Sequence, residues 1–100
     1  MQINKTLENE KMTLALEGRL DTLTAPQLDA EIVGAGKLDG IKELVFDFTN
    51  LAYISSAGLR ILLTAQKVMN KQGSMVIKGA NTDIKEIFEV TGFCDILTVE

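Results

Sequence analysis

The chain contains no histidine and no tryptophan, and only one cysteine (Cys94) and one proline (Pro26) among its 100 residues. Without histidine, the commonest general base and the commonest metal ligand near neutral pH are both missing. One thiol and no imidazole are too few donors for a structural or catalytic zinc site, so no metal is expected. A lone cysteine closes no internal disulfide, and the composition lacks the cysteine density of stapled secreted domains. Aromatic residues make up only 5% of the chain, so the core must be aliphatic. Positive charge is also scarce: ten Lys and Arg against fourteen Asp and Glu leave a net charge of −4. That is the wrong sign for neutralising a phosphate backbone, which argues against nucleic acid as a partner. No apolar run reaches the length of a membrane span, and the opening MQINKTLENEKMTLAL has no signal-peptide core. A soluble, cytoplasmic protein is expected.

What is present is a hydrophobic content of 46%, enough for one core in a single domain spanning 1–100. Gln2–Leu7 and Met12–Glu17 alternate apolar and polar residues around the polar Glu8-Asn9-Glu10, which predicts a β-hairpin. Thr24-Ala25-Pro26-Gln27 reads as a helix start, with Thr24 capping the Gln27 N–H, Gln27 reaching back and Pro26 in the first turn. Leu28, Ile32 and Ala35 follow at helical spacing, and Gly34 and Gly36 are expected to end the helix. Leu44-Val45-Phe46 predicts a buried strand ending near Asp47, followed by a short polar turn.

A second helix is expected from about Ala57 to Lys71. Gly58, Leu62, Ala65 and Met69 fall on one face, and Arg60, Thr64, Lys67 and Lys71 fall opposite. Met75-Val76-Ile77 is a further strand. Asn81-Thr82-Asp83 offers N-caps for a last helix lined by Ile84, Ile87, Phe88 and Thr91, with Gly92 at its C′ position. Ile96–Val99 can add an edge strand. Strands alternating with helices after a hairpin predict an α/β layer fold, a mixed, partly parallel sheet with helices packed on it.

Chemistry-bearing motifs are few. Gly34-Ala35-Gly36-Lys37 is followed by no Ser or Thr, and Glu31 stands where a phosphate loop needs glycine; the spacing of Gly34, Gly36 and Gly40 misses the dinucleotide fingerprint. No cofactor site is therefore predicted. Asp21 and Asp47 each close a strand region and could approach Ser55 and Ser56 if those strands end on one rim. With no His or suitable Lys to build a triad around Ser56, hydrolysis is disfavoured and the protein is not expected to be an enzyme. The remaining feature is Ser55-Ser56-Ala57-Gly58, two hydroxyls at the leading end of a helix. One of them can act as the cap. The free N–H groups and positive dipole end there also suit a phosphate. Gly58 in the first turn costs about 1 kcal/mol relative to Ala, which implies a close approach by another group.

GRLD at 18–21, TAPQL at 24–28, DFTNLAYISSAGLRILL at 47–63 and FEVTGFCDIL at 88–97 occur in an order that resembles the STAS domain over essentially the whole chain. More narrowly, the chain resembles the small stand-alone bacterial anti-sigma factor antagonists. The resemblance implies phosphorylation at Ser56, with Ser55 an alternative acceptor because this chain has serine where the best-known antagonists have aspartate. It implies an anti-sigma factor serine kinase as partner, bound when Ser56 is unmodified and released on phosphorylation. It also implies a metal-dependent serine phosphatase that restores binding. Asp21 matches an acidic position beside the phosphorylation loop. Asp21, Ser55, Ala57, Gly58, Arg60, Thr64 and Lys67 form the expected partner surface, and the chain alone is expected to be monomeric. The alternative implied by the same family is an accessory subunit of a lipid or anion transport complex, in which Ser56 is mainly a cap and contact residue.

Overall fold

Alternation decides the first two strands. In β1 (Gln2–Glu8) and β2 (Lys11–Leu20), every second residue of β2 from Met12 to Leu16 is fully buried while Lys11, Thr13, Ala15 and Glu17 stay half-exposed. The two pair antiparallel from Gln2↔Glu17 to Glu8↔Lys11, leaving Asn9 and Glu10 as a two-residue turn. Asn9 sits at φ +55°, a left-handed conformation that asparagine tolerates better than most residues and that tight hairpins require. The structure, a computed structural model, describes residues 1–32 and 37–100.

The remaining elements are α1 (Ala25–Ile32), β3 (Glu43–Ile54), α2 (Ser56–Asn70), β4 (Ser74–Lys78) and α3 (Thr82–Thr91), followed by a short 3-10 turn at Phe93–Asp95. The sheet order is β1-β2-β3-β4, with β2/β3 and β3/β4 parallel. The expected mixed, partly parallel α/β architecture is what forms. The termination of α1 by Gly34 and Gly36, the placement of Ala35 and the Gly34–Lys37 motif fall at least partly outside the described residues.

The expected end of the central strand fails. β3 does not end at Asp47 but runs on to Ile54, twelve residues in all, and no polar turn precedes Ser55. Its partner β2 contributes only ten, and the register slips between Ala15 and Glu17 and again between Gly18 and Arg19. Each slip places an extra β3 residue opposite β2, as in a β-bulge, and re-aims the side chains that follow. Buried positions therefore change from a spacing of two (Leu44, Phe46, Phe48) to a spacing of three (Phe48, Leu51, Ile54). Period-two alternation is the usual strand signal, and its loss disguised the second half of this strand as a loop.

The core joins Leu14 and Leu16 of β2, Leu44, Phe46 and Phe48 of β3, Ile77 of β4, Leu28 of α1, Leu62, Ala65 and Met69 of α2 and Phe88 of α3. Phe46 and Phe48 pack with ring centroids 5.8 Å apart at 59°, a tilted geometry favourable to aromatic pairs. Each such side chain, fully buried, contributes about 1.5–3 kcal/mol. The last helix is capped by Asn81, whose Oδ1 accepts the Ile84 N–H at 2.8 Å while its Nδ2 donates to the Leu51 carbonyl at 3.2 Å. Gly92 closes it at φ +80°, as its C′ position predicts. The expected edge strand over Ile96–Val99 shrinks to a single parallel bridge, Ile77↔Val99, because Ile96 is still held by the 3-10 turn.

Candidate functional site

The parallel register of β2 and β3 brings the site together. Leu20 pairs with Ile54, and the Ser55 N–H donates to the Leu20 carbonyl at 2.8 Å. Both strands thus end on one rim, with Asp21 beside Ser55 at the exit of the sheet. Asp47 does not join them. It lies in mid-strand between Ala15 and Lys78, and its Oδ1 accepts the Thr49 hydroxyl at 2.6 Å and the Thr49 N–H at 3.0 Å. These two bonds hold its carboxyl below the usual carboxylate range, and its role is local, at the first register shift of β3.

The two serines have different jobs. Ser55 is extended (φ −102°, ψ 175°) and is the N-cap of α2: its Oγ accepts the Gly58 N–H at 3.4 Å and its carbonyl accepts the Leu59 N–H at 3.0 Å. Ser56 is the first helical residue and is exposed. Among the described residues its hydroxyl has no hydrogen-bond partner within the protein. The cap uses one hydroxyl and leaves the other in solvent, above the first N–H groups of the helix, which have no intrahelical acceptors.

Gly58 explains why α2 can start so close to the sheet. A Cβ at this position would lie 2.7 Å from Leu20 Cγ and 2.9 Å from Ile54 Cγ1. Both neighbours are almost wholly buried and terminate the two paired strands. The close approach expected from the sequence is therefore made by these two side chains. Further along the helix, Arg60, Thr64 and Lys67 are all exposed, at spacings that place them on the side of Ser56. The Thr64 hydroxyl donates to the Arg60 carbonyl at 3.0 Å. Ala57 is half-buried and, with Arg60, walls a shallow furrow of about 330 Å³ whose other side is Thr22, Pro26 and Asp29.

Asp21 organises the loop before α1 in a way the sequence did not indicate. Thr24 does not cap Gln27 with its side chain; the Gln27 N–H goes to the Thr24 carbonyl at 2.9 Å. The Thr24 hydroxyl instead donates to the Arg19 carbonyl at 2.7 Å and accepts the Asp21 N–H at 2.9 Å. The Asp21 carboxylate takes the Leu23 and Thr24 N–H groups at 3.0 Å each. The Thr24 N–H foremost, then its hydroxyl, the Leu23 N–H and the Arg19 charge outweigh partial desolvation and hold the Asp21 carboxyl below the usual range. A carboxyl depressed in the folded state adds stability above its unfolded pKa, and that contribution drains away as pH falls through the folded value. A carbon-detected titration should therefore place the Asp21 midpoint below that of a free aspartate, and Thr24→Val should raise it. An unshifted midpoint in both proteins would contradict the network.

Two residues of this rim have no individual role in the sequence reading. Arg19 lies with its Nε 3.7 Å from Asp21 Oδ2, and its guanidinium stacks 4.3 Å from the centroid of Tyr53. Arg19 was visible only as part of GRLD, and Tyr53 was hidden because β3 was expected to stop six residues earlier. Among the described residues no group of three or more His, Cys, Asp or Glu is placed to hold a metal ion, and no helix is long and apolar enough to cross a membrane.

Comparison with known proteins places this geometry in context. A model of the STAS domain matches residues 2–100. Over 86 residues, 84% of this chain and 72% of the other, the sequence is 40% identical to BtrV of Bordetella bronchiseptica, a candidate anti-sigma factor antagonist. It is 27% identical over 100 residues to the anti-sigma-B factor antagonist of Staphylococcus aureus, covering 99% of this chain and 92% of that protein. Among solved structures, the Bacillus cell fate determinant SpoIIAA in its phosphorylated form superposes with a TM-score of 0.77 at 17% identity, covering 99% of this chain and 91% of that one. At that identity the likeness is one of fold.

Proposed function

The chain belongs to the STAS domain family, and on that footing we propose that it is an anti-sigma factor antagonist switched by phosphorylation of Ser56. In its unmodified form it binds an anti-sigma factor that is also a serine kinase, and so frees a sigma factor. The kinase transfers the γ-phosphoryl group of ATP to Ser56 Oγ, the hydroxyl proton leaves, and the complex dissociates. A serine phosphatase returns the hydroxyl. The protein itself catalyses nothing; it acts as a single binding domain in the cytoplasm.

The observation that carries this proposal is the division of labour between the serines. Ser55 is engaged as the cap, whereas Ser56 offers an exposed hydroxyl with no partner among the described residues. A phosphate there adds about −1.5 to −2 charges. The helix N-terminus stabilises an anion by about 0.3–1 kcal/mol, so the domain keeps its fold. The interface does not tolerate it. A surface that received a neutral hydroxyl would have to desolvate a dianion, on a chain already at −4. Arg60, Thr64 and Lys67 along the same face, Ala57 beside it and Asp21 at the rim complete the docking surface; Gly58, expected there from the sequence, is buried against Leu20 and Ile54 and supports that surface from within.

The direct test is incubation with candidate anti-sigma factor kinases and ATP, followed by mass spectrometry that locates the modified residue. Phosphate is expected on Ser56, and Ser55→Ala should still accept it. Modification confined to Ser55, or none with any kinase that binds, would overturn the assignment.

A further inference from the structure

A second surface lies on α3. Asp83, Glu86, Ile87 and Val90 recur at three- and four-residue spacing and share one side of the helix, whereas Ile84 and Phe88 turn the other way into the core. Val90 is 80% exposed and Ile87 is half-buried. Facing them is Tyr53, 37% exposed, near the end of β3. These side chains line a groove of about 450 Å³, larger than the furrow beside Arg60. Its centre is Tyr53, Ile87 and Val90, and its acidic rim is Asp83 and Glu86.

Single exposed apolar residues are ordinary on protein surfaces. Three that converge on one groove are a different matter, because a contiguous apolar patch with a polar rim marks a contact site. The α3 side of the rim is acidic: no Lys or Arg is among the residues lining the groove, the Arg19 guanidinium stacked on Tyr53 is paired with Asp21, and among the described residues neither Asp83 nor Glu86 is in an ion pair. Asp83 has a local explanation, since it sits in the first turn of α3 and complements the helix dipole. Glu86, one turn further in, gains less from that field.

We propose that this groove docks a basic amphipathic helix of a protein partner. Aliphatic side chains of that helix rest on Tyr53, Ile87 and Val90, and a Lys or Arg beside them pairs with Asp83 and Glu86, the helix-in-groove mode of recognition. The groove is joined to the Ser56 rim by touching groups, because the Tyr53 ring also carries Arg19, which pairs with Asp21. A partner that covers Ser56 can therefore extend onto α3, but the groove does not depend on Ser56 being modified.

The test is an NMR titration of the isotopically labelled protein at physiological salt with a synthetic amphipathic peptide. A Leu/Lys helix of roughly 18 residues is long enough to fold on contact, and a Leu/Glu peptide of the same pattern is the control. The Leu/Lys peptide should bind with a sub-millimolar Kd, with amide shifts concentrated at Tyr53 and along 83–91. Val90→Asn, which removes apolar contact without adding charge, and Glu86→Lys, which lies beyond the first turn of α3, should each weaken it about fivefold or more with thermal melts within a few degrees of the parent's. Ser56→Asp should leave the affinity within twofold, which separates this groove from the Ser56 switch. Shifts spread evenly over the acidic surface, equal binding of both peptides, or variants that bind like the parent would each overturn it.

Discussion

Ser56→Asp is expected to bind the anti-sigma factor at least a hundredfold more weakly than Ser56→Ala, with the two variants melting within a few degrees of each other. The Ser56 hydroxyl makes no hydrogen bond within the protein among the described residues, so its replacement by alanine removes no internal side-chain hydrogen bond. Aspartate at the first helical position is favoured by the dipole, so the fold gains slightly if it changes at all. The whole penalty then falls on the complex. A loss of about 3 kcal/mol, the range found when a charge is buried against an unsuited partner, corresponds to more than a hundredfold in Kd. Aspartate carries one charge where a phosphate carries nearly two, so the phosphorylated protein should bind more weakly still. Calorimetric titration of the parent, both variants and the phosphorylated form settles the order. Equal affinities for the alanine and aspartate variants would remove the electrostatic basis of the switch, whatever the fate of Ser56 as an acceptor.

The second large effect is structural and sits directly beneath the first. Gly58→Val should lower stability by about 3 kcal/mol, the upper part of the range for overpacking a filled core. The new Cβ alone would crowd Leu20 and Ile54 at 2.7–2.9 Å, and both side chains are enclosed on all sides. The β-branch then adds two more methyl groups in the same place. For a domain of this size, that loss lowers Tm by about 12 °C or more. Gly58→Ala should fall between the two, because about 1 kcal/mol of helix propensity offsets part of the clash. Where Gly58→Val does fold, the start of α2 must lift from the strand ends and carry Ser56 with it, so phosphorylation should slow as well. Urea unfolding of the three proteins gives the comparison, and a valine variant as stable as the parent would mean that the strand ends and α2 are not in close contact.

Much of this was legible along the chain because local patterning and packing agree. Met12, Leu14 and Leu16 alternate; Leu62, Ala65 and Met69 recur at helical spacing; Gly92 stands where a helix must turn left-handed. In the first two cases the residues that set the local period also face the core, and Gly92 supplies the positive φ that ends the helix. Ser56 was legible for a related reason, since two hydroxyls before a helix exceed what a cap requires. Which serine caps could not be read, because either hydroxyl can reach a second- or third-residue N–H, and the outcome depends on where the strand delivers the chain. The second half of β3 was missed because its bulges replace the alternation that identifies a strand. With it went Tyr53, and so the stacking of Arg19 and the groove against α3.

By itself, the sequence determined the α/β class, the aliphatic core and the serine pair at a helix start. These follow from composition and from periodicity, which are properties of neighbours along the chain. Only the tertiary structure decided that Asp21 reaches the site and Asp47 does not, that Ser55 is the cap and Ser56 is free, and that Gly58 is filled against Leu20 and Ile54. Those outcomes turn on the pairing of Leu20 with Ile54 across two parallel strands, more than thirty residues apart. Strand register is set by long-range packing and by bulges, and a shift of one residue would have turned every later side chain to the other face.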